Sequence, residues 1–437
     1  MSAKARFKIQ SAAWNPARPS KLIRDFLTSL PIDPRAEKVA SEVLADIRRN
    51  GDAAIARYVK KFDGATLKPA QFRISTDDLA RARKTVDADF KRQAREAAKR
   101  ITAFAKAGLR KDWTMKTPCG GRLGEKFVPL DRVGVYIPGG TAPLASTSLM
   151  TACIARAAGV PEIVAASPAG PDGAVDPYIL FALDLAGVSE IYRIGGIQAI
   201  GALAYGTRTI GKVQKIVGPG NQYVAAAKKL VYGQVALDSV AGPSEIAILA
   251  DRSVPARFVA ADMLSQAEHG SGMEKSLLVT TSTKLAVDVE KELWKQAAHL
   301  SRSDMVYKVL RNGTLIVTVK NRDEGIDLIN RFAPEHLELL VKNPRDVVKK
   351  ISAAGAIFIG PWTPESAGDF AAGPSHVLPT GGAAAMFSGL SVDDFRRRSS
   401  LIEFTRKDLA EVLPVIEAFG RVEGLDAHVR SAQVRFE

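Results

Sequence analysis

The chain has 437 residues, of which 46% are hydrophobic and 25% are charged. That apolar content excludes a mostly disordered protein, and the length is enough for about three ordinary domains or two large ones. Two cysteines, Cys119 and Cys153, are too few for a disulfide framework and favour a reducing compartment. The first ten residues lack the apolar core of a secretory signal, so we expect a cytoplasmic protein.

The chain is unusually basic. Lysine and arginine outnumber aspartate and glutamate by 61 to 47, a formal net charge of +14. The basic residues are scattered through predicted helices, however, with no zinc-finger spacing and no RNA-binding aromatic signature. Two stretches without charged residues, 133–155 and 370–392, are long enough to span a bilayer, but glycine, proline, serine and threonine interrupt both. We therefore expect neither nucleic-acid binding nor a membrane span.

The N-terminal part of the chain is predicted to be helical. Residues 35–50 carry apolar side chains at helical spacing, and Gly51 follows as a stop signal. A second helix is predicted near 52–62, and long polar helices cover 77–109. We predict no strand before residue 133.

From residue 133 onwards, short β-rich runs alternate with helical runs. This alternation predicts parallel sheets covered by helices. It restarts near residue 245, so we predict two α/β units. The predicted strands are 133–137, 162–167, 190–194, 213–218, 245–251, 276–281, 313–319, 337–341 and 356–360, and the predicted helices lie near 144–158, 178–187, 197–206, 221–233, 255–268, 283–298 and 406–423.

The run IVGPGN (216–221) is a candidate dinucleotide-binding turn. It ends a predicted strand and opens a helix, and its two glycines permit a tight turn beside an anionic group. The full Gly-x-Gly-x-x-Gly pattern fails because Tyr223 stands at the third position, although Asp238 lies where a ribose-binding acid could fall. From this run alone, an ordinary strand–helix turn is the alternative to nucleotide binding.

Side chains suited to catalysis or metal binding occur in three further runs. Gln266 and His269 lie three residues apart near the end of a predicted helix and share a face, which is half of a metal site. Glu335 and His336 are adjacent after a proline, and such a pair faces one cavity only at an irregular turn. Asp369 is a lone carboxylate among small residues. The structural alternatives are a capping or core histidine, a chance dipeptide and a turn aspartate.

Taken together, these runs resemble the histidinol dehydrogenase family, over about residues 35 to 430. The resemblance implies an α/β fold with two incomplete Rossmann-like domains, parallel sheets and small N- and C-terminal pieces. It also implies oxidation of L-histidinol to L-histidine in two steps through L-histidinal, with zinc and NAD. The most specific runs are VGVYIPGGTAPLASTSLM (133–150), GPGNQYVAAAKK (218–229), AGPSE (241–245), LSQAEHG (264–270), APEHLELL (333–340), TPESAGDF (363–370), GPSHVLPT (373–380) and EGLDAH (423–428).

The resemblance assigns roles to individual residues by matching motifs. The implied zinc ligands, which also contact substrate, are Gln266, His269, Asp369 and His428; His336 is the base and a substrate contact, Glu335 activates water, Ser244 and Glu423 bind substrate, and Tyr136, Gln198 and Asn221 contact NAD.

The resemblance further implies a domain division and an assembly. The expected parts are an N-terminal segment (1–33), a first α/β domain with the catalytic and zinc residues (34–132 and 245–387), a second that contacts NAD (133–244), and a C-terminal tail (388–437). In the family the tail completes the active site of the partner in a homodimer. We therefore expect Glu423 and His428 to act across that interface.

Three places depart from the pattern usual in the family: Ser375 stands for asparagine, SGM (271–273) for a segment with Asp-Pro, and Met386 for arginine. None is an assigned residue, but they leave open a paralogue that oxidises another small alcohol with the same zinc and NAD apparatus. Retention of the substrate-binding serine and of both tail residues favours an amino alcohol. A non-catalytic, basic nucleic-acid-binding protein is the alternative of another class, and it has no need of the intact set of acid, base and ligands.

Overall fold

The computed structural model describes residues 7–28, 33–139, 143–240, 242–269 and 271–437. Its strands are β1 (Gln10–Ala13), β2 (Trp113–Lys116), β3 (Arg122–Pro129), β4 (Arg132–Tyr136), β5 (Glu162–Ala166), β6 (Glu190–Tyr192), β7 (Lys215–Val217), β8 (Ala236–Leu237), β9 (Glu245–Ala250), β10 (Lys275–Thr280), β11 (Thr314–Thr318), β12 (His336–Leu340), β13 (Ala356–Ile359) and β14 (Arg396–Glu403). Its α-helices are α1 (Lys21–Leu27), α2 (Pro34–Tyr58), α3 (Thr76–Thr85), α4 (Ala88–Ala107), α5 (Ala145–Ala157), α6 (Pro177–Ala186), α7 (Gly196–Tyr205), α8 (Gln222–Val231), α9 (Ala256–Ala267), α10 (Thr283–Ala297), α11 (Ser303–Asn312), α12 (Arg322–Phe332), α13 (Pro344–Val348), α14 (Glu365–Phe370), α15 (Arg406–Glu423) and α16 (Asp426–Gln433).

The larger sheet has six strands in the order β1-β11-β10-β9-β12-β13. All of its neighbouring strands pair in parallel. The central strands β9 and β12 are buried along their whole length, as expected where helices cover both faces of a sheet. In their register His336 lies opposite Ile246, so both strands begin at the same edge.

The second sheet has five parallel strands in the order β6-β5-β4-β7-β8. This order matches five of the six strands of the dinucleotide-binding fold, and the direction of winding reverses between β4 and β7. In such sheets ligands bind beyond the carboxyl ends of the strands at this point of reversal. The prediction of two α/β units, each with a parallel sheet, is confirmed.

A small antiparallel sheet, in the order β14-β3-β2, was not expected from the sequence. The prediction of no strand before residue 133 is therefore wrong, and the tail contains a strand as well. Every residue of β2 is exposed, and so is nearly all of β14. Strand β14 is held by backbone pairing with the distant β3, and β2 pairs with β3 as a hairpin, so neither strand has the apolar run by which a buried strand is recognised.

Helices α2 to α4 pack against the helices that flank the five-stranded sheet. The predicted break at Gly51 is present: this glycine has φ +51° and ψ −129° inside α2, a conformation that other residues rarely adopt. Helix α2 contacts α7 and α8, α3 contacts α6, and α4 contacts α5. The buried faces of α2 to α4 therefore cover helices of the five-stranded sheet, and the division into domains stays a prediction. The first segment also contributes β1 to the edge of the six-stranded sheet.

The charge-free stretches differ in burial: the first is largely buried, whereas the second mixes buried residues such as Val377 with exposed ones such as Met386. In 133–155, β4 and α5 are almost entirely buried, while residues 140–142 lie outside the described part. The stretch 370–392 is mostly irregular backbone. Among the helices that the structure describes, none is both long enough and apolar enough to cross a membrane.

Candidate active site

Glu335 and His336 lie together at the start of β12. Ala333, the C-cap of α12, has left-handed backbone with φ +48°, and this irregular turn directs both side chains into one cluster. The distance from His336 Nδ1 to Glu335 Oε2 is 3.7 Å. His336 is only 2% exposed and Glu335 only 6%. The structure thus brings the predicted acid–base pair into one buried cluster of side chains.

The ring of His336 is held in one orientation. Its Nδ1 lies 3.0 Å from the carbonyl oxygen of Glu245 and 3.1 Å from Gln266 Oε1. Because both partners are acceptors, Nδ1 carries a proton and donates it. Nε2 is buried without a hydrogen-bond partner among the described residues, 3.7 Å from Asp369 Oδ1. A fixed ring with one free nitrogen is the arrangement that a general base requires.

A candidate metal centre lies beside this ring. His269, Glu365 and Asp369 each offer one ligand atom, and these atoms lie within 4.8 Å of one another. Gln266 Nε2 is 3.5 Å from His269 Nδ1, so the amide borders the same group. Glu365 Oε1 is buried without a hydrogen-bond partner in the described residues, and an unpaired carboxylate oxygen fits a bound cation. Imidazole, carboxylate and amide ligands together suit Zn²⁺.

Glu365 was not among the residues assigned from the sequence. It lies four residues before Asp369 on α14, so both carboxylates share one face of the helix. Ser265 Oγ donates to Glu365 Oε2 at 2.7 Å, and the Glu365 backbone N–H donates to Glu338 Oε1 at 2.8 Å. The i, i+4 spacing was a signal, but only the fold shows that this carboxylate is buried.

Carboxylates dominate the electrostatics of this cluster. Burial raises the pKa of Glu335, and it raises the pKa of Glu365 to about 7, with a further contribution from the charge of Asp369. Burial alone would lower the pKa of His336, but Glu335, Asp369 and Glu365 raise it to about 10. The group therefore favours a positive charge at its centre, whether a proton or a metal ion.

Ser244 contacts the acid of the pair. Its hydroxyl donates to Glu335 Oε2 at 2.5 Å, and the backbone N–H of Glu245 donates to the same oxygen at 2.9 Å. These two donors fix the carboxylate of Glu335. Ala241 and Gly270, which belong to two of the motifs quoted above, lie outside the described residues.

The two tail residues are not part of this cluster within one chain. Glu423 ends α15 and His428 lies on α16, and both are exposed. The group of potential ligands in the described residues contains neither of them. The same tail exposes large apolar side chains, among them Ile402 (72%), Phe419 (63%) and Val422 (82%).

Tyr136 and Gln198 come together at the carboxyl edge of the five-stranded sheet. The hydroxyl of Tyr136, at the end of β4, accepts a hydrogen bond of 3.1 Å from the backbone N–H of Gly196 at the start of α7. Gln198, two residues further on, donates from Nε2 to Asp63 Oδ2 at 3.1 Å. Asn221 caps α8 at its N-terminus by accepting from the N–H groups of Tyr223 and Val224.

The partial glycine fingerprint has a structural explanation. Gly218 follows β7 with φ +117°, and a Cβ atom there would lie 2.2 Å from the carbonyl oxygen of Tyr136. Glycine therefore permits the close approach of β4 and β7 where the winding reverses. Asp238 forms a buried ion pair with Lys228 and accepts from the N–H of Gly218 at 2.7 Å. Its carboxylate holds the turn together. This is a structural role, the alternative to ribose binding for this residue.

Comparison with known proteins decides the family. The sequence model of histidinol dehydrogenase matches residues 31–436. The chain is 44% identical over 405 residues to a histidinol dehydrogenase from Heliobacterium mobile, which covers 93% of this chain and 95% of that protein. The chain belongs to the histidinol dehydrogenase family. A second member, from Lactococcus lactis, is 41% identical over 406 residues, or 93% of this chain and 94% of the relative.

A solved histidinol dehydrogenase has the same fold. The crystal structure from Elizabethkingia anophelis matches this chain with a TM-score of 0.93 at 35% identity, and 98% of each chain is covered. The resemblance found in the sequence is thereby confirmed, as are the α/β fold class and the identification of an enzyme of the histidinol dehydrogenase family. The roles of individual residues stay predictions.

Proposed function

We propose that this chain oxidises L-histidinol to L-histidine in two steps through L-histidinal, with NAD⁺ as the hydride acceptor and Zn²⁺ as the bound metal. The observation that carries the proposal is the buried pair of Glu335 and His336 beside a group of metal-binding side chains. Two oxidations of one carbon require a base for the leaving protons and a group that activates water. The adjacent pair offers both functions in one buried cluster.

His336 is the proposed base. Its unpaired Nε2 takes the hydroxyl proton of histidinol while a hydride leaves the same carbon for NAD⁺, which gives the aldehyde and NADH. Its Nδ1–H, held by the Glu245 carbonyl, keeps the ring in place. Glu335 then takes a proton from the water that adds to the aldehyde. The protonated His336 returns its proton to the aldehyde oxygen, which completes the hydrate. The neutral ring then accepts a hydroxyl proton of the hydrate as the second hydride leaves.

The metal would be held by Gln266, His269 and Asp369, with Glu365 buried next to them. When bound, the ion supplies a template for the imidazole and amine nitrogens of the substrate and, as a cation, favours the neutral form of His336. Ligation through the amide oxygen requires Gln266 to turn its amide, because that oxygen faces His336 Nδ1. Tyr136, Gln198 and Asn221 are the proposed NAD contacts.

We propose a homodimer with shared sites, and the position of the tail supports this proposal. Glu423 and His428 are exposed and lie outside the cluster, so they serve the reaction only if a second copy brings them to it. The exposed apolar residues of the same tail are of the kind that an interface buries. We propose that His428 is the fourth zinc ligand and Glu423 the amine anchor of the partner's site.

The decisive experiment counts NADH at 340 nm with zinc-loaded protein and L-histidinol. Two NADH per histidinol consumed, abolished by a chelator and restored by zinc, is the expected result. No turnover of histidinol by protein that binds zinc and NAD⁺ would contradict the proposed substrate. A panel of other small alcohols would then test the paralogue alternative.

A further inference from the structure

One polar atom of the Gln198 side-chain amide has no hydrogen-bond partner in the part of the chain that the structure describes. Gln198 is fully buried in the first turn of α7. Its Nε2 donates to Asp63 Oδ2 at 3.1 Å, whereas Oε1 is buried without a hydrogen-bond partner among the described residues. Buried acceptors are almost always paired in folded proteins. An unpaired acceptor at an edge where ligands bind therefore points to a donor that the ligand brings.

Asp63 determines which amide atom is left free. An ionised carboxylate only accepts hydrogen bonds, so it attracts the NH₂ group of Gln198 and repels its oxygen. The carboxylate is itself held, because the backbone N–H of Gly195 donates to the same Oδ2 at 3.4 Å. Asp63 ends the helical turn Val59–Asp63 that follows α2. It thus reaches the sheet edge from a segment 135 residues away in sequence.

The free oxygen lies at the proposed dinucleotide edge. Gly195 and Gly196, which precede Gln198, contact Asp63 and the Tyr136 hydroxyl respectively. Tyr136 ends β4, next to the reversal between β4 and β7. Gln198 Oε1 is therefore on the side of the sheet where a dinucleotide binds in folds of this strand order.

We propose that Asp63 is a positioning residue of the NAD site, which fixes the Gln198 amide so that Oε1 accepts a hydrogen bond from a ribose hydroxyl or a carboxamide N–H of the dinucleotide. The inference rests on the proposed function, in which NAD⁺ is the hydride acceptor. Loss of Asp63 frees the amide to rotate, and the orienting effect on the dinucleotide is lost with it.

The test is calorimetric titration of the zinc-loaded, full-length protein with NAD⁺. D63A is expected to raise the Kd for NAD⁺ about three- to tenfold, the usual effect of one net hydrogen bond. D63N is expected to restore near-normal affinity, because a single oxygen of Asp63 accepts both bonds and the asparagine oxygen replaces it. In steady-state assays D63A should raise the KM for NAD⁺ by a larger factor than it lowers kcat.

Two further variants separate positioning from general damage. D87A removes a carboxylate that caps α4 by accepting from the Phe90 N–H at 2.8 Å, and it should leave the Kd unchanged. Q198M removes the amide, and adding D63A to it should weaken binding no further, since the two residues act as one unit. Additive losses would overturn the inference.

Titration with ADP-ribose, which lacks nicotinamide, identifies the part of the dinucleotide that donates to Gln198 Oε1. If D63A weakens ADP-ribose by the same factor as NAD⁺, the donor is on the ADP-ribose part; if only NAD⁺ is weakened, it is on the nicotinamide part. An unchanged Kd in D63A overturns the inference, and so does an equal loss in D63A and D63N, which would make charge the cause. Wild-type protein that binds neither ligand would instead refute the proposed function, and with it this inference.

Discussion

The substitution His336→Asn removes the proposed base and leaves its surroundings in place. An asparagine amide nitrogen can take the position of His336 Nδ1 and donate to the Glu245 carbonyl, which the imidazole does at 3.0 Å. Nothing in the shorter side chain reaches the position of Nε2. The change therefore deletes the nitrogen that has no protein hydrogen bond in the described residues and keeps the one that anchors the ring.

The size of the effect follows from the chemistry that is lost. A positioned general base contributes about 10²- to 10⁴-fold to the rate, which corresponds to about 2.7–5.5 kcal/mol of activation free energy. Little stability should be lost, because the buried Glu245 carbonyl keeps a donor. We expect kcat to fall by about 10²- to 10⁴-fold in H336N, with a melting temperature within about 4 °C of the wild type, the shift that a loss of up to 1 kcal/mol can produce.

The assay follows NADH separately from L-histidinol and from L-histidinal. H336N should slow both half-reactions, because each hydride transfer releases a proton. E335Q should slow the reaction of L-histidinal more than that of L-histidinol, because only the aldehyde needs activated water. An H336N enzyme within about threefold of wild-type kcat on either substrate would refute the assignment of the base, since that is far less than a general base contributes.

Three more predictions concern the metal, the tail and Asp63. Chelation of the metal should abolish turnover. E365Q should weaken zinc binding, measured by competition with a chromogenic chelator, and an unchanged affinity for zinc would show that Glu365 is not part of the site. Co-expression of H336N with H428A should restore about a quarter of wild-type activity, because half of randomly paired dimers contain one intact shared site; no restoration would place His428 in its own chain's site. Burial raises the pKa of Asp63 from 3.8 to about 6, so the folded state loses stability as pH rises between these values. In urea unfolding above pH 6, the free energy of unfolding of D63N should thus exceed that of the wild type by at most about 3 kcal/mol, or about 1–2 kcal/mol once solvent screening is allowed for. At pH 3 the two proteins should be equally stable. An equal gain at both pH values would contradict this reasoning.

The sequence revealed the strands that are buried and missed those that are exposed. The run 245–251 was predicted as a strand, and the structure has β9 at Glu245–Ala250. Parallel strands between two layers of helices are continuous apolar runs, and such runs are visible in one sequence. Strand β14 begins with Arg396, and it is defined by pairing with β3, more than 260 residues earlier. No local pattern records a pairing of that kind.

The same distinction applies to the site. Gln266 and His269, and Glu335 and His336, are close in sequence, so each pair could be recognised as a unit. Glu365 could not be singled out, because a carboxylate four residues from another is common on exposed helices, and only tertiary packing buries it. Nothing in the sequence indicated a role for Asp63, since its partner Gln198 lies 135 residues later in the chain.

The proposed cofactor contacts lie where strands of the five-stranded sheet end, whereas the proposed base lies where a strand of the six-stranded sheet begins. Tyr136 and Gly218 follow β4 and β7, at the carboxyl edge where a dinucleotide is expected. Glu335 and His336 instead lie where β12 begins, and Glu245 is the first residue of the neighbouring β9. A search confined to carboxyl ends of strands would have found the cofactor side and missed the base. The chain that runs from β8 to β9 connects the two edges and carries Ser244, which holds Glu335. Hydride transfer needs cofactor and base at the same carbon atom, so a change in the geometry of this short connection should lower kcat.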